Sequence, residues 1–348
     1  MEMNKLILIL TLLLTMPITR AENCAPVGNR ATGMPVYDQG QTSMCYAFTA
    51  TQMFDILRKQ NGEKVPPLSS PSDIAFRYTF RDSNSKSWED VKDGSSVDCL
   101  KILLNEGGCP YYNNEDFNRD LFGERWDEFE ELQKLRKEYF KQDERIDQGK
   151  EYSGLFSRKN PKQKQQELVE EFACKLIDED KFPEEKKFFE DYLKKSLETG
   201  TIKKFFKKYF EKGCEKHRRL STSGKLQSWG VSSLVNQKDN MENLKNRLDK
   251  ALVSGKSAPG ISYCSNILNN ANANDLRLGK DGIDCQREDA HVSIVVDRRP
   301  GKNGQCEYLI RNTWGTSCNS YPWPCQMGQI WIPENELLIN TMSVLWIE

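Results

Sequence analysis

The spacing of hydrophobic positions changes twice along the chain. From Met44 to Leu57 apolar residues recur at helical spacing, which predicts a helix with one broad apolar face. Between about Asn113 and Gly224, four segments each carry one aromatic stripe and begin at a residue suited to a helix start, which predicts a small helical subdomain. After Ser228, one amphipathic helix precedes short β-branched runs that are typical of an antiparallel sheet or barrel. These runs are "PGISYC", "HVSIVVD", "CEYLIRNTWG", "GQIWIP" and "MSVLWI".

A different hydrophobic pattern opens the chain. Lys5 precedes the apolar run "LILILTLLLTM", and the small residues Thr19 and Ala21 stand before a predicted cleavage site. The run is too short to span a bilayer. The pattern therefore predicts a secretory signal peptide over residues 1–21 and a mature start at Glu22. We expect an exported protein, periplasmic or extracellular, with no membrane span.

Composition and charge narrow the range of partners. Lys and Arg number 50 against 51 Asp and Glu, and the net charge is −1. A chain so balanced has no overall basic charge to attract nucleic acid, so we expect no nucleic-acid partner. The 348 residues suffice for one or two domains, and 37% hydrophobic and 29% charged residues are typical of a polar globular protein.

The chain contains eleven cysteines, and export favours disulfides for most of them. An odd number predicts one cysteine left over, although parity does not say which one. Cys306, Cys318 and Cys325 are close in sequence, and we expect two of them to pair. No Cys-x-x-Cys pair occurs and the chain has two histidines, so neither a metal site nor a cofactor is expected. The cysteines stand at positions 24, 45, 99, 109, 174, 214, 264, 285, 306, 318 and 325.

Three residues have the chemistry of a thiol protease. Cys45 falls in the first turn of the predicted helix, where unpaired N–H groups favour a thiolate. His291 begins a predicted strand, and Asn312 stands 21 residues later at the end of the next strand, where it could orient a histidine. His217 lies in the charged stretch "CEKHRRL" and is interpreted as solvated. By themselves, these residues leave a catalytic and a structural role for His291 open.

Several separate segments resemble the papain family of cysteine proteases, in the family's order. They are "QGQTSMCYAF" near the nucleophile, "PLSS" after its helix, "AHVSIVVDRR" on the histidine strand, "YLIRNTWGTSC" on the asparagine strand and "GQIWIP" on a late strand. The resemblance implies that Cys45 is the nucleophile and that the Gln39 side chain donates to the oxyanion. It also implies that His291 is the base, that Asn312 orients the ring, and that Trp314 shields their hydrogen bond.

The same resemblance implies a fold class and a domain order. The fold is an α+β, papain-like two-lobed fold, in which a helical lobe and an antiparallel β-barrel-like lobe flank the active-site cleft. Residues 22–112 would form the helical lobe that carries the nucleophile, and residues 225–348 the β-rich lobe that carries histidine and asparagine. Residues 113–224 would form an inserted, charged helical subdomain. With its export signal, the chain resembles a secreted, bacterial-type member of the family.

The sequence departs from the family pattern near the substrate. Tyr46 replaces the tryptophan that follows the nucleophile, and Thr42 replaces a cysteine. The partner region of that cysteine, "CNGG" in the family, reads "VKDG" here. Asp93 and Gly94 therefore take the place of the paired glycines that hold substrate backbone. With Trp314, they are the candidate substrate-binding residues.

The inserted segment explains an unusual spacing. Cys45 and His291 are 246 residues apart, much farther than in the family, and the excess falls within residues 113–224. The insertion could cap the cleft, bind a partner, or restrict substrates to chain ends. It could also inhibit the enzyme itself, because only about 14 residues between Ala21 and Val36 stand where relatives carry a long propeptide.

The sequence thus predicts a secreted cysteine endopeptidase that hydrolyses peptide bonds of protein or peptide substrates through a thioester. In this interpretation Cys45 is the odd cysteine, and the other ten form five disulfides. Two alternatives stay open: a catalytically inactive papain-like module for binding or adhesion, and a thiol acyltransferase.

Overall fold

A computed structural model describes two compact units of this chain. The sheet unit comprises the described residues within Met1–Tyr37, Gln52–Val65 and Thr222–Glu348, and the helical unit those within Asp38–Thr51 and Pro66–Ser221. The predicted signal peptide and nearly all of the predicted insertion lie outside the described residues, so both stay predictions. Described are residues 24–40, 43–65, 67–81, 94–110, 167, 170, 219–280, 282–286 and 290–348.

The described residues form five α-helices and nine strands, with two short 3₁₀ turns at Ser265–Leu268 and Lys302–Gly304. The helices are α1 (Cys45–Gln60), α2 (Pro71–Arg81), α3 (Ser96–Glu106), α4 (Gln237–Ser254) and α5 (Glu334–Ile339). The strands are β1 (Leu226–Gly230), β2 (Gly260–Cys264), β3 (Leu276–Gly279), β4 (Gly282–Cys285), β5 (Ala290–Pro300), β6 (Cys306–Arg311), β7 (Cys325–Gln326), β8 (Gln329–Pro333) and β9 (Thr341–Ile347).

Seven strands of the sheet unit form one antiparallel sheet in the order β1-β9-β2-β5-β6-β8-β7. The predicted mixed fold with an antiparallel sheet is confirmed, and each of the five β-branched runs contributes a strand. The barrel-like closure is not found. Within the described residues, β1 and β7 each pair with a single neighbour, so the sheet is open. Strand β7, at one edge, has only two residues before Met327, which has a positive φ of 51°.

Helix α4 covers part of this sheet. Its buried residues, Leu244, Leu248, Ala251 and Leu252, recur at helical spacing and join a core with side chains from the central strands. An alternating strand buries one face, and the burial of β8 shows this alternation. This core fixes the positions of β5, which carries His291 near its start, and of β6, which Asn312 directly follows.

The segment before α1 is fastened to the sheet unit at two places. The Cys24–Cys306 disulfide ties its beginning to β6. The buried Arg311 at the end of β6 donates to the Met34 carbonyl (2.7 Å) and to Gln52 Oε1 (3.1 Å) in α1. These bonds hold the residue that precedes Asn312.

Local hydrogen bonds define the helices of the helical unit. Ser95 caps α3 by accepting from the Asp98 N–H (3.2 Å), and the helix ends where the Gly107 N–H donates to the Leu103 carbonyl. The stretch "GSSVDCLKILLNEGGC" predicts a short helix that ends at the glycine pair Gly107–Gly108, and the observed end of α3 agrees with this prediction. At the start of α3, Ser96 Oγ donates to the Tyr46 carbonyl (3.0 Å), which links α3 to the first turn of α1.

The disulfides agree with the sequence in part. Cys318 pairs with Cys325, as expected for two of three neighbouring cysteines, and Cys264 pairs with Cys285. Cys109 is also disulfide-bonded. The expectation that every cysteine except Cys45 is bridged is wrong, because Cys99 is a thiol. Cys99 is fully buried in α3, where a thiol packs like a small apolar side chain.

Among the described residues, no helix combines the length and apolarity needed to cross a membrane.

Candidate active site

Cys45 is the first residue of α1, and its side chain is half-buried. It is a thiol rather than half of a disulfide. The Ala47 and Phe48 N–H groups both turn back to the Met44 carbonyl, which begins the helix at this point. The first turn of α1 holds no acidic residue, so no carboxylate there opposes the partial positive charge of the helix start. This position favours the thiolate form of Cys45.

Gln39 lies in the turn that leads into α1 and belongs to the same unit as Cys45. The Asp38 carboxylate accepts from the Gly40 N–H (2.9 Å), which tightens this turn around Gln39. The Gln39 side chain is buried, at 6% exposure. A buried amide donor near a helix start is the type of group that stabilises an oxyanion.

His291 and Asn312 are joined directly in the sheet unit. His291 Nε2 lies 2.7 Å from Asn312 Oδ1, and the Thr313 N–H donates to the same oxygen at 2.8 Å. The backbone donor fixes which end of the Asn312 amide faces the ring. Because an amide oxygen only accepts, His291 carries its proton on Nε2. In the neutral ring, Nδ1 then has the lone pair and is the nitrogen that can take up a proton.

Burial keeps the His291 ring neutral. Only 5% of the residue is exposed, and burial lowers the pKa of His291 to about 4, although the Asn312 hydrogen bond opposes the shift. Tyr263 meets the ring edge-on at 5.7 Å between ring centres, and Trp314 lies against it at 5.1 Å. A neutral imidazole is a competent base.

Trp314 and Tyr321 extend this cluster. Their rings stack with an angle of 10° and 6.3 Å between centres. The Tyr321 hydroxyl accepts from Asn312 Nδ2 at 3.1 Å. Asn312, which is fully buried, is therefore held through both ends of its amide. The contact of Trp314 with the His291 ring supports the predicted shielding role, which stays a prediction.

The structure divides the predicted residues between the two units. His291, Asn312 and Trp314 lie together in the sheet unit, whereas Gln39, Cys45 and Gly94 belong to the helical unit.

Of the two candidate residues at the substrate edge, Asp93 and Gly94, only Gly94 is among the described residues. Gly94 is exposed and approaches Tyr46 so closely that an added Cβ would collide with the tyrosine ring. Asp93, the other candidate there, lies outside the described residues.

The sequence did not predict three polar residues that surround the His291–Asn312 pair: Ser293, Tyr263 and Tyr321. Ser293 had a usable signal, because residues two apart in a strand share a face and Ser293 follows His291 by two. Tyr263 stands opposite His291 in the β2–β5 register, which the sequence does not reveal. Tyr321 lies in the loop closed by the Cys318–Cys325 disulfide.

Among the described residues, no group of three or more His, Cys, Asp or Glu side chains is arranged to hold a metal ion.

The protein resembles papain-like cysteine proteases among solved structures. It is similar to xylellain, a cysteine protease from Xylella fastidiosa, with 14% identity and a TM-score of 0.42 over 92% of this chain and 84% of that one. Similarity to procathepsin B S9 from Trypanosoma congolense has 11% identity and a TM-score of 0.41, over 92% and 77% of the two chains. The bromelain protease from Ananas comosus, in complex with the E64 inhibitor, has 10% identity and a TM-score of 0.37, over 90% of this chain and 93% of that one.

No protein-family profile matches the sequence, and no curated protein matches it significantly. Such low identities and TM-scores assign neither an activity nor a residue role. Both therefore rest on the residues and their geometry.

Proposed function

We propose that this protein is an exported cysteine endopeptidase that hydrolyses peptide bonds through a thioester. The observation that carries the proposal is the 2.7 Å hydrogen bond between His291 Nε2 and Asn312 Oδ1, which leaves Nδ1 as the proton acceptor. The half-buried thiol of Cys45 at a helix start supplies the matching nucleophile. Disulfides within the described residues favour an oxidising compartment.

The reaction begins with the thiol. His291 Nδ1 takes the proton of Cys45, and the sulfur attacks the carbonyl carbon of the scissile bond. The Gln39 side chain and the Cys45 backbone N–H donate to the oxyanion. The imidazolium then gives its proton to the leaving amine, and the C–N bond breaks to leave a thioester.

Water completes the cycle. His291 takes a proton from the water that attacks the thioester, and the carbon–sulfur bond breaks. The proton returns to the sulfur, and the acid product leaves. Throughout, Asn312 holds the ring with Nε2 protonated. In this scheme neither a metal nor an organic cofactor takes part.

Substrate contacts and regulation complete the proposal. Gly94, Asp93 and Trp314 bind the substrate beside the reacting bond, and the substrate is a protein or peptide. The inserted segment within residues 113–224 limits access to the site or binds a partner. The domain boundaries predicted from the sequence remain part of this proposal.

The test is product analysis in water enriched in ¹⁸O. A pool of unstructured peptides is incubated with the wild-type protein and with Cys45→Ala, and the products are identified by mass. The proposal expects new C-termini that carry one ¹⁸O atom, and expects them to vanish with Cys45→Ala. Products joined to an added amine, without ¹⁸O, would instead favour the acyltransferase. Cleavage that persists in Cys45→Ala would contradict Cys45 as the nucleophile. No cleavage at all would contradict the peptidase and favour the binding module.

A further inference from the structure

Two hydroxyl groups are buried directly behind the His291–Asn312 pair. Ser293 and Tyr263 both have 0% exposure. Tyr263 Oη lies 3.0 Å from Ser293 Oγ, and Ser293 Oγ lies 3.2 Å from Asn312 Oδ1. Ser293 interrupts the otherwise apolar run of β5 after His291. A hydroxyl in an apolar core is costly unless it is hydrogen-bonded, so the bonds of these two groups define what they do.

The direction of these bonds follows from the acceptor. An amide oxygen cannot donate, so the Ser293 hydroxyl donates to Asn312 Oδ1. Because the single hydroxyl proton of Ser293 is used in this bond, Ser293 Oγ accepts in the other bond, and Tyr263 donates to it. These two hydrogen bonds lead from Tyr263 through Ser293 to Asn312 Oδ1, the same oxygen that accepts from His291 Nε2.

Each donor fixes a different degree of freedom. The Thr313 N–H belongs to the residue that follows Asn312, so it orients the amide relative to its own backbone. Ser293 belongs to β5, the strand that also carries His291, and so ties the amide oxygen to the strand of the ring. The ring of Tyr263 is packed edge-on against the His291 ring, and β2–β5 pairing places the two residues opposite each other.

We propose that Ser293, held by the Tyr263 hydroxyl, is a positioning residue that fixes Asn312 Oδ1 against His291 Nε2 and thereby aims Nδ1 of the ring. Its role in catalysis rests on the peptidase function proposed above, whereas the positioning itself does not. Two experiments separate these two parts.

The first experiment observes the ring without any activity. The chain has two histidines, so ¹⁵N-histidine labelling gives few imidazole signals, and His291→Gln assigns those of His291. The readout is the rate at which the His291 Nε2 proton exchanges with water. We expect about 5-fold faster exchange in Ser293→Ala, since one hydrogen bond is lost, and a smaller increase in Tyr263→Phe.

Matched controls remove comparable buried hydroxyls elsewhere in the sheet unit. Ser257 Oγ donates to the Met53 carbonyl (2.6 Å), and Tyr308 Oη donates to Asp249 (2.9 Å). Ser257→Ala and Tyr308→Phe should leave the exchange rate of the His291 Nε2 proton unchanged, even where they lower stability as much as Ser293→Ala and Tyr263→Phe do. Exchange in Ser293→Ala and Tyr263→Phe no faster than in these controls would overturn the positioning role. Tyr263→Phe keeps the ring, so it decides the question if Ser293→Ala fails to fold.

The second experiment is a double-mutant cycle on the rate of Cys45 labelling by an epoxysuccinyl probe. We expect Ser293→Ala to slow labelling about 5-fold in the wild-type background and less than 2-fold in Asn312→Ala, because Ser293 acts through Asn312. Equal slowing in both backgrounds would mean general destabilisation and would overturn the proposal for catalysis. If wild-type Cys45 is not labelled at all, the peptidase function fails, and the exchange experiment alone still decides whether Ser293 positions the ring.

Discussion

Two thiols in the helical unit, Cys45 and Cys99, stand in the first turns of two different helices. Cys45 is the first residue of α1 and is half-buried. Cys99 is the fourth residue of α3, is fully buried, and already donates its N–H to the Ser95 carbonyl at 2.9 Å. Burial raises the pKa of Cys99 far above its usual range, and the neighbouring Asp98 raises it further.

The difference shows that a helix start does not by itself make a thiol reactive. The partial charge of a helix terminus is worth about 1 kcal/mol at an exposed site, much less than the cost of burying a charge. We expect Cys45 to keep the benefit, because it is partly accessible and its helical turn holds no acidic residue. Four experiments test the contrast, from the largest expected effect to the smallest.

Replacing each of the two thiols in turn should give the largest difference in activity. We expect Cys45→Ser to lower kcat/KM for peptide hydrolysis by about 10⁴-fold or more, because the nucleophile is lost. Cys99→Ala should change kcat/KM less than 2-fold and cost about 1 kcal/mol of stability, as core substitutions usually do. Both variants are assayed on one peptide and followed by urea unfolding. A folded Cys99→Ala protein without activity would contradict this contrast, because peptide hydrolysis would then depend on the buried thiol.

The proposed oxyanion donor, Gln39, provides a second contrast, since a reactive thiol needs such a donor and a buried thiol does not. We expect Gln39→Ala to lower kcat by about 10²- to 10³-fold with KM nearly unchanged, because the lost bond matters most in the transition state. Gln329→Ala is the matched control; it removes another amide, the acceptor of Asn29 Nδ2 at 2.9 Å, and should leave kcat unchanged. Equal losses from the two variants would argue against an oxyanion role for Gln39.

The pH dependence of stability tests the neutral form of His291 without a thiolate. With a pKa of about 4 when folded against about 6.5 when unfolded, the unfolded chain binds the proton more tightly. The stability from burying the neutral ring is thus fully present above pH 6.5 and is lost as the pH falls toward 4, by about 3 kcal/mol.

Urea unfolding from pH 4 to 7 measures this loss in the Cys45→Ser background, where no thiolate can raise the pKa of the ring. The parent should lose more stability on acidification than its His291→Gln derivative. Parallel curves of stability against pH for the two proteins would mean that His291 has the same pKa in the folded and unfolded states. That result would contradict a neutral resting ring.

The smallest effect concerns the disulfide loop. Tyr321→Phe removes the acceptor of Asn312 Nδ2 and preserves the stacking on Trp314. One hydrogen bond to a buried amide is worth about 1 kcal/mol, so we expect an approximately 5-fold lower rate of Cys45 labelling. Opening the loop in the Cys318→Ala/Cys325→Ala double variant should lower the rate in the same direction. An unchanged rate in both variants would mean that Asn312 needs no support from this loop.

Patterns with a short range in sequence predicted much of the fold. Helical spacing predicted α1, the glycine pair predicted the end of α3, and β-branched runs predicted the strands that carry His291 and Asn312. Proximity in sequence predicted that two of Cys306, Cys318 and Cys325 pair, without saying which two, and the observed Cys318–Cys325 disulfide has a separation of only 7 residues.

What the sequence missed depends on contacts between distant segments. The thiol state of Cys99 follows from its burial in the core, and parity cannot distinguish a buried thiol from a bridged one. Tyr263 reaches Ser293 only through the β2–β5 register. Within the described residues the sheet is open because its edge strands, β1 and β7, do not pair with each other, and strand alternation alone does not predict which strands pair.

The most direct test of Cys45 as the nucleophile is labelling of the oxidised wild-type protein with the epoxysuccinyl probe, followed by mass mapping of every cysteine in one digest. We predict stoichiometric labelling at Cys45, slower labelling in His291→Ala, and labelling of Cys99 only after unfolding. An unlabelled Cys45 in the folded protein, or Cys45 found in a disulfide, would contradict the claim that this thiol is the nucleophile.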